Sequence, residues 1–169
     1  MIEDLSIDMM QEDDVRPLAV FSLGHVDDDD DYFSYSLDEQ KTGRRNVLIA
    51  RVDRKIAGYV HYNRYPQYQP FRSLRIPEIQ DLYVDLTYRR MGIGRALIEA
   101  CEALAVAEKA SEIGIGVGVA HDFGTAQRLY AGLGYVPDGA GVVFDRTPIS
   151  VGEVRPVDNR LCLMMVKSL

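Results

Sequence analysis

The chain has 169 residues, 47% apolar and 27% charged, a profile of one soluble domain with enough chain to bury a sizeable core. No apolar run reaches the ~18–20 residues of a membrane-crossing helix, and the acidic start Met1-Ile2-Glu3-Asp4 lacks the basic and apolar stretches of a signal peptide. Residues 1–42 carry 13 Asp/Glu against 2 Lys/Arg, a net −11, and residues 43–169 carry 13 against 17, a net +4; the acidic first quarter repels nucleic acid, and it either attracts cations or serves solubility alone.

Leu5 to Met9 alternates as a first strand. Glu12-Asp13-Asp14 opens a helix, with acids at the positive end of its dipole and Pro17 early in it. After the run Asp27 to Asp31, a second helix covers roughly Tyr32 to Lys41 and stops before Gly43. Asn46 to Val52 and Lys55 to Asn63 read as strands joined by a tight turn at Asp53-Arg54. Tyr65 to Arg75, rich in Tyr, Pro and Gln, reads as a loop, and Ile76 to Val84 as a strand. A glycine-containing turn, Arg89 to Gly94, leads into a helix from Ile93 to Lys109 with Ile93, Ala96, Leu97, Ala100, Leu104 and Ala107 on its apolar face. Glu112 to Ala120 is a strand, and Thr125 to Leu133 a short helix ended by Gly134. The tail gives a strand near Val142 to Asp145, a Pro/Gly-rich connection and a last strand from Leu161 to Lys167. The pattern predicts one α+β domain over residues 1–169, a three-layer α/β/α arrangement of a mixed, mostly antiparallel sheet of six or seven strands flanked by helices. Cys101 and Cys162 sit in apolar-periodic segments and read as buried free thiols, which points to a reducing cytoplasm.

The strongest chemical signal is the strand–turn–helix from Ile79 to Ala107. Its turn, Arg89-Arg90-Met91-Gly92-Ile93-Gly94 followed by Arg95, presents backbone N–H groups at the positive end of a helix, where phosphate oxygens bind. Gly92 and Gly94 let an anion approach the backbone, and Arg89, Arg90 and Arg95 add charge. A P-loop is excluded because no Gly-Lys-Ser/Thr is present. A dinucleotide fingerprint is excluded because Leu97 stands where a third small residue is needed.

Arg89-x-x-Gly92-x-Gly94 resembles the Arg/Gln-x-x-Gly-x-Gly/Ala signature of the GCN5-related N-acetyltransferases (GNAT). Leu82-Tyr83-Val84 resembles that family's fourth strand, and Ala126 to Tyr135 its second hallmark, a helix running into Leu-Tyr…Gly-Phe/Tyr. The likeness is specific from about Ile79 to Pro137. It implies acetyl-CoA as co-substrate and no metal. The N–H groups of Met91, Gly92, Ile93 and Gly94 would hold the CoA pyrophosphate. The main chain of Leu82, Tyr83 and Val84 would pair with the pantetheine and the acyl carbonyl. Tyr130 would donate a proton to the departing thiolate; a core aromatic is the plainer role for it. One departure is Phe123, which stands where family members often carry a CoA-contacting Asn, so no contact is assigned there.

Gly114, Gly116 and Gly118 share one face of their strand, which permits close approach by a helix, the favoured reading, or by a ligand. The resemblance also implies a carboxylate base on the fourth strand. Glu78 and Asp81 are available there, three apart and so on opposite faces, and the family pattern favours Glu78; either could be a solvated edge residue. His25, His61 and His121 read as surface or packing residues.

The expected reaction is acetyl transfer from acetyl-CoA to a primary amine of a small molecule or peptide. The alternatives are a non-catalytic acyl-CoA sensor and a transferase for a longer acyl-CoA; neither nucleic acid nor membrane is an expected partner, and monomer and homodimer both stay open. The resemblance places the loops after the first helix and before the fourth strand on the acceptor side. The first holds Asp27 to Asp31 with Tyr32, Phe33 and Tyr35 close behind, and the second holds Tyr65, Tyr68 and Phe71. Acids beside aromatic rings suit a cationic amine, while a solvated loop capping the next helix is the plainer reading of the acidic run.

Overall fold

The computed structural model describes residues 4–23 and 31–169. The chain divides into two compact units, Met1–Asn63 with Gln80–Cys101, and Arg64–Ile79 with Glu102–Leu169. Strand β4 (Glu78–Val84) and helix α4 (Ile93–Ala107) each run from one unit into the other.

In the first unit, β1 (Leu5–Met9) pairs antiparallel with β2 (Arg45–Val52), from Leu5 opposite Val52 to Met9 opposite Leu48. β2 returns as β3 (Lys55–Asn63) through Asp53 and Arg54, both left-handed at φ 48° and 67°, as a two-residue type I′ hairpin requires. The expected first helix is a 3₁₀ turn, Glu12–Asp14, leading into α1 (Val15–Phe21). Helix α2 (Tyr32–Lys41) has the bounds the sequence suggests. It stays docked on the sheet because Phe33, Ser36 and Leu37 are buried. The Gln40 side chain fixes its height: the amide donates to Met10 O at 2.8 Å and accepts from Val47 N–H at 3.0 Å. Met10, Leu18, Phe33, Leu37, Val47, Ile49 and Tyr59 form this unit's core. Full burial of such side chains contributes about 1.5–3 kcal/mol each.

The second unit contains the main departure from expectation. Gln69–Leu74, inside the expected loop, is a one-and-a-half-turn helix, α3. Pro70 lies in its first turn, where no N–H is needed, and Arg75 ends it at φ 57°. The helix exists to seat one ring. Phe71 is 1% exposed and lies over Gly114 of β5 (Glu112–Gly118), where any Cβ would collide with it. Gly118 receives Phe123 in the same way, while Gly116 faces Met164 and Arg146, so single side chains and not a helix face fill the bare side of β5. Tyr68, fully buried, hydrogen-bonds Asp138 at 2.7 Å. Tyr68 and Phe71 are therefore core residues of this unit, which corrects their expected place on an acceptor surface.

β5 pairs with β8 (Leu161–Ser168), β8 with β6 (Val136–Phe144), and β6 with β7 (Thr147–Pro148), all antiparallel. β6 is longer than the expected strand near Val142. A register shift between Pro137 and Val142, with Gly139 and Gly141 at φ 87° and 82°, hides its alternation. β4 and β5 are parallel, through Glu78 opposite Gly114 and Ile79 opposite Ile115. The strand order is β1-β2-β3-β4-β5-β8-β6-β7. The α+β class and the mixed, mostly antiparallel sheet hold; the strands number eight because of the two-residue β7.

Helix α4 buries Ile93, Leu97, Ile98, Cys101 and Ala105, a stripe rotated from the expected one, with Ala107 exposed. No described helix is long and apolar enough to cross a membrane. Cys101 is a buried free thiol, while Cys162 is half-buried.

Candidate functional site

Strand β4 is followed by Asp85, whose side chain accepts the Thr87 N–H at 2.9 Å and starts a 3₁₀ turn, Leu86–Tyr88. Arg89 then reaches back, its Nε donating to Val84 O at 3.1 Å, which fixes the turn to the strand it leaves. Arg90 and Gly92 are left-handed, at φ 62° and 88°, and such conformations let successive N–H groups converge into an anion-binding concavity. The first bond into α4 runs from Ala96 N–H to Gly92 O, 3.0 Å. The N–H groups of Ile93, Gly94 and Arg95 therefore precede any acceptor within the helix.

Arg89, Arg90, Met91, Gly92 and Arg95 are exposed, Gly94 is half-buried, and Ile93 anchors the helix start in the core. A Cβ built on Gly92 meets no atom within 4 Å, so there is room for a bulky anion against the backbone. These residues fit a pyrophosphate group. Leu82, Tyr83 and Val84, each half-buried, lie in the same unit. A Gly92→Val variant is expected to lose CoA affinity by about 10-fold or more, read by calorimetry. It combines a left-handed strain of about 1–2 kcal/mol with a side chain in that space; wild-type affinity would contradict the assignment.

Glu78 and Tyr130 belong to the second unit. Glu78 is fully buried and ion-paired with Arg146, whose guanidinium burial pulls below its ordinary basicity. Tyr130 lies on α5 (Gly124–Gly132), 6% exposed, its ring 6.3 Å from that of Tyr135. Burial pushes its hydroxyl up to about 12, so it keeps its proton at neutral pH. The Leu-Tyr…Gly-Tyr string has a structural cause: Gly134, at φ 94°, ends the helix, and Tyr135 N–H returns to Tyr130 O at 3.0 Å. The Tyr135 hydroxyl and Lys167 both reach Glu102, at 2.9 and 2.7 Å.

A polar chain that sequence reasoning missed crosses the first unit. Glu39 pairs with Arg45 at 2.5 Å, Arg45 Nη1 lies 3.1 Å from His61 Nδ1, and His61 Nε2 lies 3.5 Å from the Tyr32 hydroxyl. That hydroxyl donates to Asp81. His61 is fully buried, and desolvation lowers it from 6.5 to about 4, so it is neutral at physiological pH. Tyr59 and His61 alternate on one face of β3, the signal that could have linked them. Glu78 is buried and Asp81 exposed.

The His61 shift predicts an acid sensitivity. As pH falls below 6.5 the unfolded chain takes up this proton before the folded one. Folding stability contributed by neutral His61 is thus complete above 6.5 and declines by about 1.4 kcal/mol per pH unit down to about 4. Urea unfolding between pH 7 and 5 measures this slope, and a His61→Gln variant should flatten it.

Among the described residues no three His, Cys, Asp or Glu side chains converge as a metal site. Structurally, the chain is similar to a ribosomal-protein-alanine N-acetyltransferase from Brucella melitensis (TM-score 0.72, 20% identity, 97% of this chain and 99% of that one). It is similar to yncA from Salmonella typhimurium, solved with its cofactor acetyl-CoA (TM-score 0.71, 16% identity, 98% and 94%). It is also similar to a spermidine N-acetyltransferase chimera of SpeG from Vibrio cholerae and hSSAT (TM-score 0.72, 13% identity, 98% and 96%). Curated protein sequences give no match. The model of the acetyltransferase (GNAT) family matches residues 8–135, a span that holds β4, the turn from Arg89 to Gly94 and the Leu-Tyr…Gly-Tyr string. The chain therefore belongs to the GNAT acetyltransferase family.

Proposed function

We propose that this acetyltransferase acylates a primary amine directly, and that the turn from Arg89 to Arg95 holds the pyrophosphate of its donor. The observation that carries the reading is the left-handed pair Arg90 and Gly92 at the start of α4, inside the family-matched span. Acetyl-CoA supplies an activated thioester. The acceptor ammonium gives up one proton to free its lone pair, the nitrogen bonds to the acetyl carbonyl carbon, and as the adduct loses its second N–H proton the C–S bond breaks and the thiolate leaves. Main-chain groups of Leu82, Tyr83 and Val84 are suited to hold the pantetheine and the carbonyl oxygen. Tyr130 supplies the thiolate's proton. The buried hydroxyl is a weaker acid than a free thiol, so the transfer depends on the site excluding water around the sulfur. Glu78 takes the acceptor's proton in this reading, and its full burial means that proton reaches it through an ordered water.

The acceptor in this reading is cationic. The named acceptors of two similar structures, spermidine and a ribosomal-protein alanine, are both amines. Of the acidic run, Asp27 to Asp30 lie outside the described residues, and Asp31 is exposed at the start of α2. A reducing cytoplasm is the setting that the two free thiols support. The test is incubation with acetyl-CoA and a panel of amines, with thiol release read out. Turnover on a cationic amine is the expected result. Tight CoA binding with no turnover on any amine would make the chain a sensor, and turnover only with a longer acyl-CoA would change the donor.

A further inference from the structure

We propose that the Asp81 carboxylate and the Tyr59 hydroxyl hold the ammonium group of the acceptor, with Tyr32 as the residue that positions Asp81. This rests on the acyltransferase reading and names how its acceptor is bound.

Asp81 sits inside β4 yet has φ 50° and is exposed. A left-handed residue within a strand interrupts the pleat, a device that re-aims a side chain. Asp81 is also the residue before Leu82, so its carboxylate is attached next to the main chain assigned to the acyl carbonyl.

The hydrogen bonds behind Asp81 run in one direction. Arg45 can only donate, so His61 Nδ1 is the acceptor at 3.1 Å and the proton of the neutral ring is on Nε2. Nε2 faces the Tyr32 oxygen, which leaves the Tyr32 proton for Asp81. Glu39 closes the far end on Arg45. The chain keeps Tyr32 a donor and Asp81 an acceptor. A carboxylate accepts several hydrogen bonds, and among the described residues Tyr32 is the side-chain donor recorded to it. Capacity for a ligand's N–H groups remains.

The second, independent observation is Tyr59. The residue is fully buried, and its hydroxyl has no hydrogen-bond partner among the described residues. Leaving such a group unmatched is costly, and the charge of Asp81 acts on this hydroxyl. The rings around it complete the setting: Phe21 lies 5.6 Å from Tyr83 and 6.3 Å from Tyr59, and Tyr59 lies 5.9 Å from Tyr83. A carboxylate, an unmatched hydroxyl and aromatic rings match a primary alkylammonium, through charge, one hydrogen bond and cation–π attraction.

The experiment measures acceptor KM for a cationic alkylamine and for an arylamine that is neutral at the assay pH, with the Kd for CoA in parallel. Asp81→Asn should raise the alkylamine KM by ~10–100-fold, the arylamine KM far less, and leave CoA affinity unchanged. Tyr32→Phe should give a smaller rise of the same selective kind, with kcat little changed. Tyr59→Phe removes a hydroxyl that bonds no described residue, so it folds as wild type does, and should raise the alkylamine KM several-fold. Should Asp81→Asn fail to fold, the Tyr59→Phe result decides. Equal alkylamine KM values in wild type and the folded variants, or equal rises for both amines, would overturn the inference while leaving the acyltransferase reading intact. If the wild type acetylates no amine, that reading itself falls.

Discussion

A Tyr130→Phe variant should bind CoA as the wild type does and lose about 10²-fold or more in kcat, the usual worth of a positioned proton donor. The ring sits on a short helix, 6% exposed, with the hydroxyl pushed up to about 12 by burial. Phenylalanine keeps the ring that packs near Tyr135, so the fold is retained and the proton is the one thing removed. Stopped-flow thiol release separates chemistry from binding: kcat and kcat/KM for acetyl-CoA should fall together. Full turnover in the variant would make Tyr130 a packing residue.

A Glu78→Gln variant should be destabilised by roughly 3–5 kcal/mol, because it leaves the partly buried Arg146 without the carboxylate that pairs with it. Pairing that change with Arg146→Met removes the orphaned charge, so most of the stability should return in urea unfolding. Activity in the double variant then reports on chemistry alone. If Glu78 receives the acceptor's proton, turnover stays at least ~10²-fold down in a protein as stable as the wild type. Turnover that returns with stability would limit Glu78 to a structural ion pair.

The two carboxylates of β4 show where sequence reading stops. Spacing puts Glu78 and Asp81 on opposite faces of a regular strand, and Glu78 is buried while Asp81 is exposed, but spacing did not show that Asp81 is left-handed. It could not find Arg146, which lies 68 residues away in sequence. The bounds of β1 and α2 and the Asp53-Arg54 turn were legible because each is a local pattern of alternation, periodicity or turn chemistry. α3 was not, because a six-residue helix with one buried ring, Phe71, has no period to read. The turn from Arg89 to Gly94 was legible as a turn into α4 because glycine spacing reports backbone conformation directly, and Gly92 is left-handed there. The relay from Arg45 through His61 and Tyr32 to Asp81 was not, because it joins α2, β2, β3 and β4 through side chains that only the folded sheet brings together. Tyr65, Tyr68 and Phe71 looked alike as aromatics in one loop. Two of them fill the core and Tyr65 is exposed, a difference set by contacts with Gly114 and Asp138.

Acetyl transfer to an amine is read by supplying acetyl-CoA labelled in its acetyl carbon together with a cationic alkylamine and the purified protein. Label should appear in the amine as an N-acetyl group, with one equivalent of free CoA for each acetyl moved, and both should be lost in Tyr130→Phe. CoA that binds tightly while no label leaves it, across small-molecule and peptide amines alike, would rule out amine acetylation.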